Sequence, residues 1–222
     1  MANNTYLIGR YKYSRPQAML WSDNPGSVEV EVDENTGEEL RTLVPNGYEI
    51  GADYPDTATI DEIDQFLILS DHNRSPIDIS YERIENRQRT VNGAMRSRHI
   101  ADKVKLSVSW DMLPSRAFAS DPMFNVTTGS PISTSTSVAF MADHGAGGND
   151  ILDWYNNHPG PFWVFLGYDK LTGINTGENR YQNFQQYTQL VQMYISDFKY
   201  SVQKRSGTLY DMWNISVSLE EV

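Results

Sequence analysis

The stretch from Tyr81 to Trp110, YERIENRQRTVNGAMRSRHIADKVKLSVSW, decides the fold because it joins two strands through a basic segment. Its last part, continued by DML, places apolar side chains on one face at Val104, Leu106, Val108, Trp110 and Met112. This alternation predicts a half-buried antiparallel strand. The middle of the stretch has no apolar period, so it predicts a long inter-strand loop from Ile84 to Val104.

Alternating strands also dominate the rest of the chain. WNISVSLEEV follows QLVQMYISDFKYSVQ through the turn Lys204 to Gly207, which predicts a C-terminal hairpin. FLILSDHNRSPIDISYERI predicts a second hairpin with its turn at Asp71 to Pro76. VEVEVDENTGEELRTL predicts a third, with its turn at Asp33 to Gly37.

One helix is well signalled. In GAGGNDILDWYNNHPGP, Asn149 or Asp150 is the expected N-cap, and Pro159 ends the helix. The fold class is therefore mainly β: an antiparallel β-sandwich or small barrel with one flanking α-helix and a long inter-strand loop. We expect an N-terminal arm with an acidic β-hairpin extension over residues 1–65 and a β domain over residues 66–222.

The composition narrows the classes of function. The chain has 222 residues, 39% of them hydrophobic, and no cysteine, which excludes disulfides and thiolate chemistry. The N-terminal residues contain no apolar segment of the kind found in signal peptides, so we expect a soluble protein without a membrane partner. The net charge of −11 opposes sequence-independent binding of nucleic acid.

The sequence gives little support for a catalytic or metal-binding site. DHGAGGND, Asp143 to Asp150, could in principle supply proton-transfer groups, but it matches no phosphate-binding or nucleophile motif. DENTGEE is too short for a calcium loop. No histidine has a partner at metal-ligand spacing; the four are His72, His99, His144 and His158. We therefore expect no enzyme activity, cofactor or metal, with an acid–base hydrolase as the least favoured alternative.

Charges of opposite sign are concentrated in two segments. Those of the basic segment include Arg83, Arg87, Arg89, Arg96, Arg98 and Lys103, and those of the N-terminal hairpin include Glu29, Glu31 and Glu34. Such a distribution favours head-to-tail association of copies, so we predict that these residues form a subunit interface. The basic segment lacks the interleaved aromatic residues that would stack on bases.

Three stretches together resemble a known family: RTVNGAMRSRHIADKVKLSVSWDML, LDWYNNHPGPFWVFLGYD and ISDFKYSVQKRSGTLYDMWNISVSLEEV. Their order and texture, from about Phe66 to Val222, are similar to those of the ring-forming proteins of bacteriophage tails, namely tail tube, distal tail and minor tail or baseplate proteins. The resemblance implies a virion protein, assembled in the host bacterial cytoplasm as a hexameric ring with other tail or baseplate proteins. It also implies a lumen through which DNA passes without specific binding.

Two alternatives stay open from the sequence. Polar strand faces could line such a lumen or simply face solvent; they comprise Ser107, Ser109 and Asp111, or Asn214, Ser216 and Glu220. A carbohydrate- or receptor-binding β module of a virion is the alternative function, because Trp21, Tyr54 or Tyr168 could stack on sugar rings.

Overall fold

The computed structural model describes residues 17–32, 39–44, 66–119, 138–139, 143, 145–168, 187–205 and 210–222. The strands in chain order are β1 (Met19–Ser22), β2 (Ser27–Val32), β3 (Glu39–Val44), β4 (Phe66–Ile68), β5 (Asp78–Arg89), β6 (Met95–Pro114), β7 (Phe118–Ala119), β8 (Val138–Ala139), β9 (Phe162–Leu166), β10 (Gln189–Arg205) and β11 (Asp211–Glu221). The helix α1 spans Gly148–Asn157.

Seven of these strands form one antiparallel sheet in the order β4-β1-β9-β10-β11-β6-β5. The prediction of a mainly β fold with one helix is confirmed. The sheet ends at β4 and β5 and is not closed into a barrel. Strands β2 and β3 pair separately, as the predicted acidic hairpin. The N-terminal segment therefore contributes β1 to the main sheet as well as this hairpin.

Alternation along β6 and β11 builds the core. Every second residue is buried on the face that we call the core face: Val104, Leu106, Val108 and Trp110 on β6, and Trp213, Ile215, Val217 and Leu219 on β11. Helix α1 packs on this face through Ile151 and Trp154, and the Trp154 ring lies 6.2 Å from that of Trp21. Because both strands bury one face only, a period of two in the sequence was enough to predict them.

The alternation breaks at Met112, which was predicted to be apolar and inward. A bulge places Asp111 and Met112 opposite Asn214, since Trp110 pairs with Ile215 and Leu113 with Trp213. Met112 adopts a positive φ of 55°, and its N–H donates to Asn214 Oδ1 at 2.9 Å. The bulge turns Met112 outward and brings Leu113 into the core instead.

Two further predictions about the strands need correction. The second predicted hairpin does not form, because β4 pairs with β1 while β5 pairs with β6 at the opposite edge of the sheet. Residues 70–77 instead reach the outer side of β6, where the N–H of Ser75 donates to the carbonyl of Ser109 at 2.8 Å. The predicted loop from Ile84 to Val104 is also wrong: most of it continues β5 and β6 as a hairpin. With neither face buried, this hairpin needs no apolar period.

The helix is confirmed with a different N-cap. Gly147, and not Asn149 or Asp150, occupies the cap position. Asp150 lies in the first turn, and its carboxylate accepts the N–H of Gly147 at 2.8 Å. It therefore caps the N-terminal end of the helix. In the described part of the chain, no helix has the length and apolar character of a membrane span.

We predict that Leu219→Ala destabilises the protein by about 2–5 kcal/mol, because it leaves a cavity at a fully buried position. Ser216→Ala, on the opposite and exposed face of the same strand, should change stability by less than about 0.5 kcal/mol. Urea unfolding of both variants measures the difference. Equal effects would contradict the assignment of the two faces.

Candidate interaction site on the basic hairpin

The distal part of β5 and β6, residues 81–103, is here called the basic hairpin. The last pairing between β11 and β6 joins Glu220 to Lys105. In the described part of the chain, residues 95–104 of β6 therefore pair with β5 alone. Strand β6 begins at Met95. At ~3.3 Å per residue, the ribbon therefore extends roughly 33 Å past the sheet.

A tight turn closes the basic hairpin. The N–H of Gly93 donates to the carbonyl of Thr90 at 2.8 Å, and the N–H of Thr90 donates to the carbonyl of Ala94 at 2.9 Å. Gly93 has a φ of 80°, which is typical of a type I turn followed by a bulge glycine. The sequence signal for this turn was Asn92-Gly93 between two polar strands, and it was missed because no apolar alternation flanked it.

Large hydrophobic side chains are exposed along the basic hairpin. They are Tyr81, Ile84, Val91, Met95 and Ile100, and Ile100 is 63% exposed. A two-stranded hairpin without a packed face is at best marginally stable in water. In the described part of the chain, no other strand pairs with residues 81–103. The arrangement therefore fits an arm that is stabilised by contact with another surface.

One side of the basic hairpin carries its own charge compensation. This side continues the core face, and on it Arg83 Nε lies 3.0 Å from Asp102 Oδ1. His99 Nε2 lies 3.1 Å from the same carboxylate oxygen. Hydrogen bonds from Arg83 and then His99 hold the pKa of Asp102 below its ordinary value. Arg87 pairs with Glu85, and its hydrogen bond, with a second from Ser97, lowers the pKa of Glu85.

The opposite side of the basic hairpin carries uncompensated charge. Cross-strand pairs place Asn86 beside Arg98 and Gln88 beside Arg96 on this side, which we call the arginine face. Within the described residues, no acidic group pairs with Arg96 or Arg98. Arg89, on the compensated side, also has no such partner. The predicted interface residues thus fall into two groups, and only some are free to bind a second molecule.

The remaining predicted interface residues are distributed as follows. Lys103 Nζ donates to the carbonyl oxygen of Val222, so it ties the hairpin base to the C-terminal strand. Glu29 and Glu31 lie two apart on β2, where they pair with Thr42 and Leu40 of β3. Glu34 lies outside the described residues. Of the predicted interface residues, the structure thus brings Arg83 and Arg87 against carboxylates of the basic hairpin itself.

Both predicted polar strand faces lie on the same side of the sheet, opposite the core face. Ser107 pairs with Ser218 and Ser109 with Ser216, and we call this surface the serine face. Its charges are balanced locally: Lys105 lies 2.8 Å from Glu82 and 3.4 Å from Glu220. The result is a small-residue surface on which most of the described charges are paired.

The segment from Asp143 to Asp150 is used for packing. The carboxylate of Asp143 accepts the N–H of Asp71 at 2.7 Å, the N–H of Gly145 at 3.1 Å and the hydroxyl of Ser70 at 2.9 Å. Burial raises the pKa of Asp150, whose carboxylate caps α1 as described above. Both carboxylates therefore hold the loop in place, and His144 lies outside the described residues.

The glycines of this segment permit close contact between backbones. A Cβ on Gly145 would lie 2.4 Å from Ser70 Cα, and one on Gly147 would lie 2.5 Å from the Ala117 nitrogen. These distances are shorter than any van der Waals contact. The glycine run therefore has a steric explanation that requires no bound anion.

The other candidate binding groups are placed as follows. Among the described residues, no group of three or more His, Asp or Glu side chains could hold a metal ion. His158 stacks on Trp154 and lies 2.8 Å from Asp23. Trp21 is fully buried, so it cannot stack on a sugar. Tyr168 is partly buried and donates to Gln189, and Tyr54 lies outside the described residues.

Comparison with solved structures finds distant structural similarity. A chain from a structure described as the tail of an empty GTA particle, computed with helical refinement and C6 symmetry, aligns with a TM-score of 0.35 and 9% identity. The alignment covers 77% of this chain and 87% of that chain. A TM-score of 0.35 does not establish a shared fold. No protein-family model and no curated protein matches the sequence.

We predict that Gly147→Ala destabilises the protein by about 1–3 kcal/mol, because the new methyl group would collide with the backbone of Ala117. Gly160→Ala is the matched control, since a Cβ there meets nothing within 4 Å. Thermal unfolding of the two variants separates them. Equal stability would show that Gly147 is not required for close packing.

The lowered pKa of Asp102 gives a second test. Its ion pair with Arg83 persists above the lowered pKa and is lost as the pH falls through it. We expect Arg83→Gln to raise the pKa of Asp102 measured by carboxyl NMR. Arg87→Gln should instead raise mainly that of Glu85. An unchanged Asp102 titration in Arg83→Gln would contradict the described pairing.

Proposed function

We propose that the chain is a structural component of a bacteriophage tail: a ring-forming tail tube, distal tail or baseplate protein that surrounds the DNA-conducting lumen. The resemblance of three sequence stretches supports the tail assignment, and the basic hairpin supports self-assembly. The proposed role involves no catalysis and no cofactor. The virion tail is the proposed location, after assembly in the host bacterial cytoplasm with other tail or baseplate proteins.

One observation carries the proposal: a hairpin of roughly 33 Å leaves the sheet without any packed face of its own. The exposed apolar side chains along it would be costly in an isolated subunit but ordinary in an interface. A contact with a neighbouring copy would bury them and order the ribbon. In a closed ring, each subunit would give one hairpin and receive one.

The distribution of charge indicates which surface of the neighbouring copy the basic hairpin would contact. The chain carries a net charge of −11, yet the basic hairpin presents arginines that its own residues leave uncompensated. A neighbouring copy therefore offers an acidic surface to a basic arm, with Glu29, Glu31 and Glu34 as proposed contacts. Such an interface is weakened by salt, because counterions screen exposed charges.

The serine face is the proposed lining of the lumen. It lies on one side of β6 and β11 and has small polar side chains with paired charges. DNA would gain little attraction from such a surface, because few free cations are present to release phosphate counterions. This is the behaviour required of a conduit through which DNA moves without binding.

The test is the oligomeric state of the purified protein. We expect rings or stacks at low ionic strength by light scattering and negative-stain microscopy, with a hexameric ring as the proposed unit, and dissociation in 1 M salt. Replacing residues 86–98 by Asn-Gly should give a folded monomer, because Glu85 and His99 remain paired across the shortened turn. A wild-type protein that stays monomeric at all concentrations and salt conditions would contradict the proposal.

A further inference from the structure

We infer that the arginine face, through Arg96 and Arg98, binds the strand β2 of a second copy at Glu29 and Glu31. This inference rests on the proposed self-assembly, and it names the two surfaces that meet. It also separates the predicted interface residues into those that bind the second copy and those that stabilise the hairpin itself.

Charge compensation distinguishes the arginine face from the opposite side of the basic hairpin. Arg83 and Arg87 are already paired with Asp102 and Glu85 on the same hairpin, so they are less available to bind a second molecule. A second acidic group near them would add little and would have to compete with these contacts. Arg96 and Arg98 have no acidic partner among the described residues and are exposed to solvent. An acidic surface from another molecule would therefore gain most at these two positions.

The charged residues have the same spacing on the two proposed surfaces. Arg96 and Arg98 lie two apart on one strand, and so do Glu29 and Glu31 on another. Residues two apart share a face of a strand and are separated by about 6.6 Å along it. Two strands that meet face to face can therefore form both pairs at once, without distortion of either backbone.

Neutral residues are paired across the strands with the charged residues of both proposed surfaces. On the arginine face, the cross-strand neighbours Asn86 and Gln88 are neutral. On the acidic hairpin, Glu29 and Glu31 pair with the neutral residues Thr42 and Leu40. The one basic residue of β3, Arg41, pairs with Val30 and so falls on the other face. By register, therefore, no basic residue of β3 is paired with Glu29 or Glu31, and the two segments carry charges of opposite sign.

The arginine face has few other acidic candidates on the same side. Along the hairpin toward the main sheet, the nearest acidic residue on this side is Glu82, which is already paired with Lys105. Some described acidic residues of the serine face are paired locally, as Glu220 is with Lys105 and Asp197 with Lys199. On strand β2, Glu29 and Glu31 provide two like charges at the matching interval.

A charge-swap experiment tests the inference. Arg96→Glu with Arg98→Glu, and separately Glu29→Arg with Glu31→Arg, should each reduce self-association at least tenfold in sedimentation equilibrium, because each places like charges in contact. A mixture of the two variants restores opposite charges between copies, so assembly should return. If only the chain with all four substitutions assembles and the mixture does not, the contact lies within one chain and the inference is wrong.

A matched pair of variants controls for overall charge. Arg96→Gln with Arg98→Gln and Arg83→Gln with Arg87→Gln remove the same charge from opposite sides of the hairpin. The first should weaken association about tenfold and the second less than threefold. Equal losses would overturn the assigned face while leaving self-assembly in place, whereas a wild-type monomer would overturn the proposed function itself.

Nucleic acid is the other macromolecule that a cationic ribbon could meet. Binding of a short DNA duplex is measured in the same buffers by fluorescence anisotropy. We expect no binding that depends on Arg96 and Arg98 at physiological salt. Duplex binding that is lost in Arg96→Gln with Arg98→Gln, with unchanged self-association, would overturn the inference.

Discussion

The structure depends on one constraint: β6 belongs to two different environments. Its second half is a central strand of the sheet, with one face buried under α1 and the other formed by serines. Among the described strands, its first half pairs with β5 alone. A strand with a single partner and no packed face contributes little stability of its own. The half within the sheet therefore anchors an arm that the proposed contact with a neighbouring copy would order.

This division explains how much could be predicted from the sequence. Alternation works where one face is buried, and it identified the core residues of β6 as far as Trp110 and those of β11 correctly. It could not identify the basic hairpin, since both of its faces are polar or exposed and its alternation has no apolar signal. The turn at Asn92-Gly93 was the available local signal. For a strand pair without a buried face, the residue types of the turn predict the hairpin from sequence, and hydrophobic periodicity does not.

Other differences arose where tertiary contacts override local patterns. The outward turn of Met112 follows from a bulge opposite Asn214, which spacing alone does not reveal. Asp71 to Pro76 has the composition of a hairpin turn, yet β4 and β5 occupy opposite edges of the sheet. The candidate site was predicted as a set of charges. Its division into a compensated side and the arginine face required the cross-strand register, because that register decides which charges meet.

The distribution of charge follows the same division of β6. Near the sheet, Lys105 pairs with the carboxylates of Glu82 and Glu220, so the charges of this polar surface are balanced locally. Beyond the sheet, one side of the basic hairpin is paired and the other is not. Ion pairs on one side link neighbouring residues of the ribbon, and the described residues leave Arg96 and Arg98 on the other side unpaired. In the proposed assembly, the arginine face therefore makes the contact with the neighbouring copy.

The central claim is that the basic hairpin is ordered by a neighbouring copy. Amide hydrogen exchange over Arg83 to His99, followed in the assembled protein and in salt-dissociated subunits, tests it most directly. The account predicts slow exchange in the assembly and fast exchange in the free subunit, while β11 stays protected in both. Fast exchange of these amides in the intact assembly would contradict it.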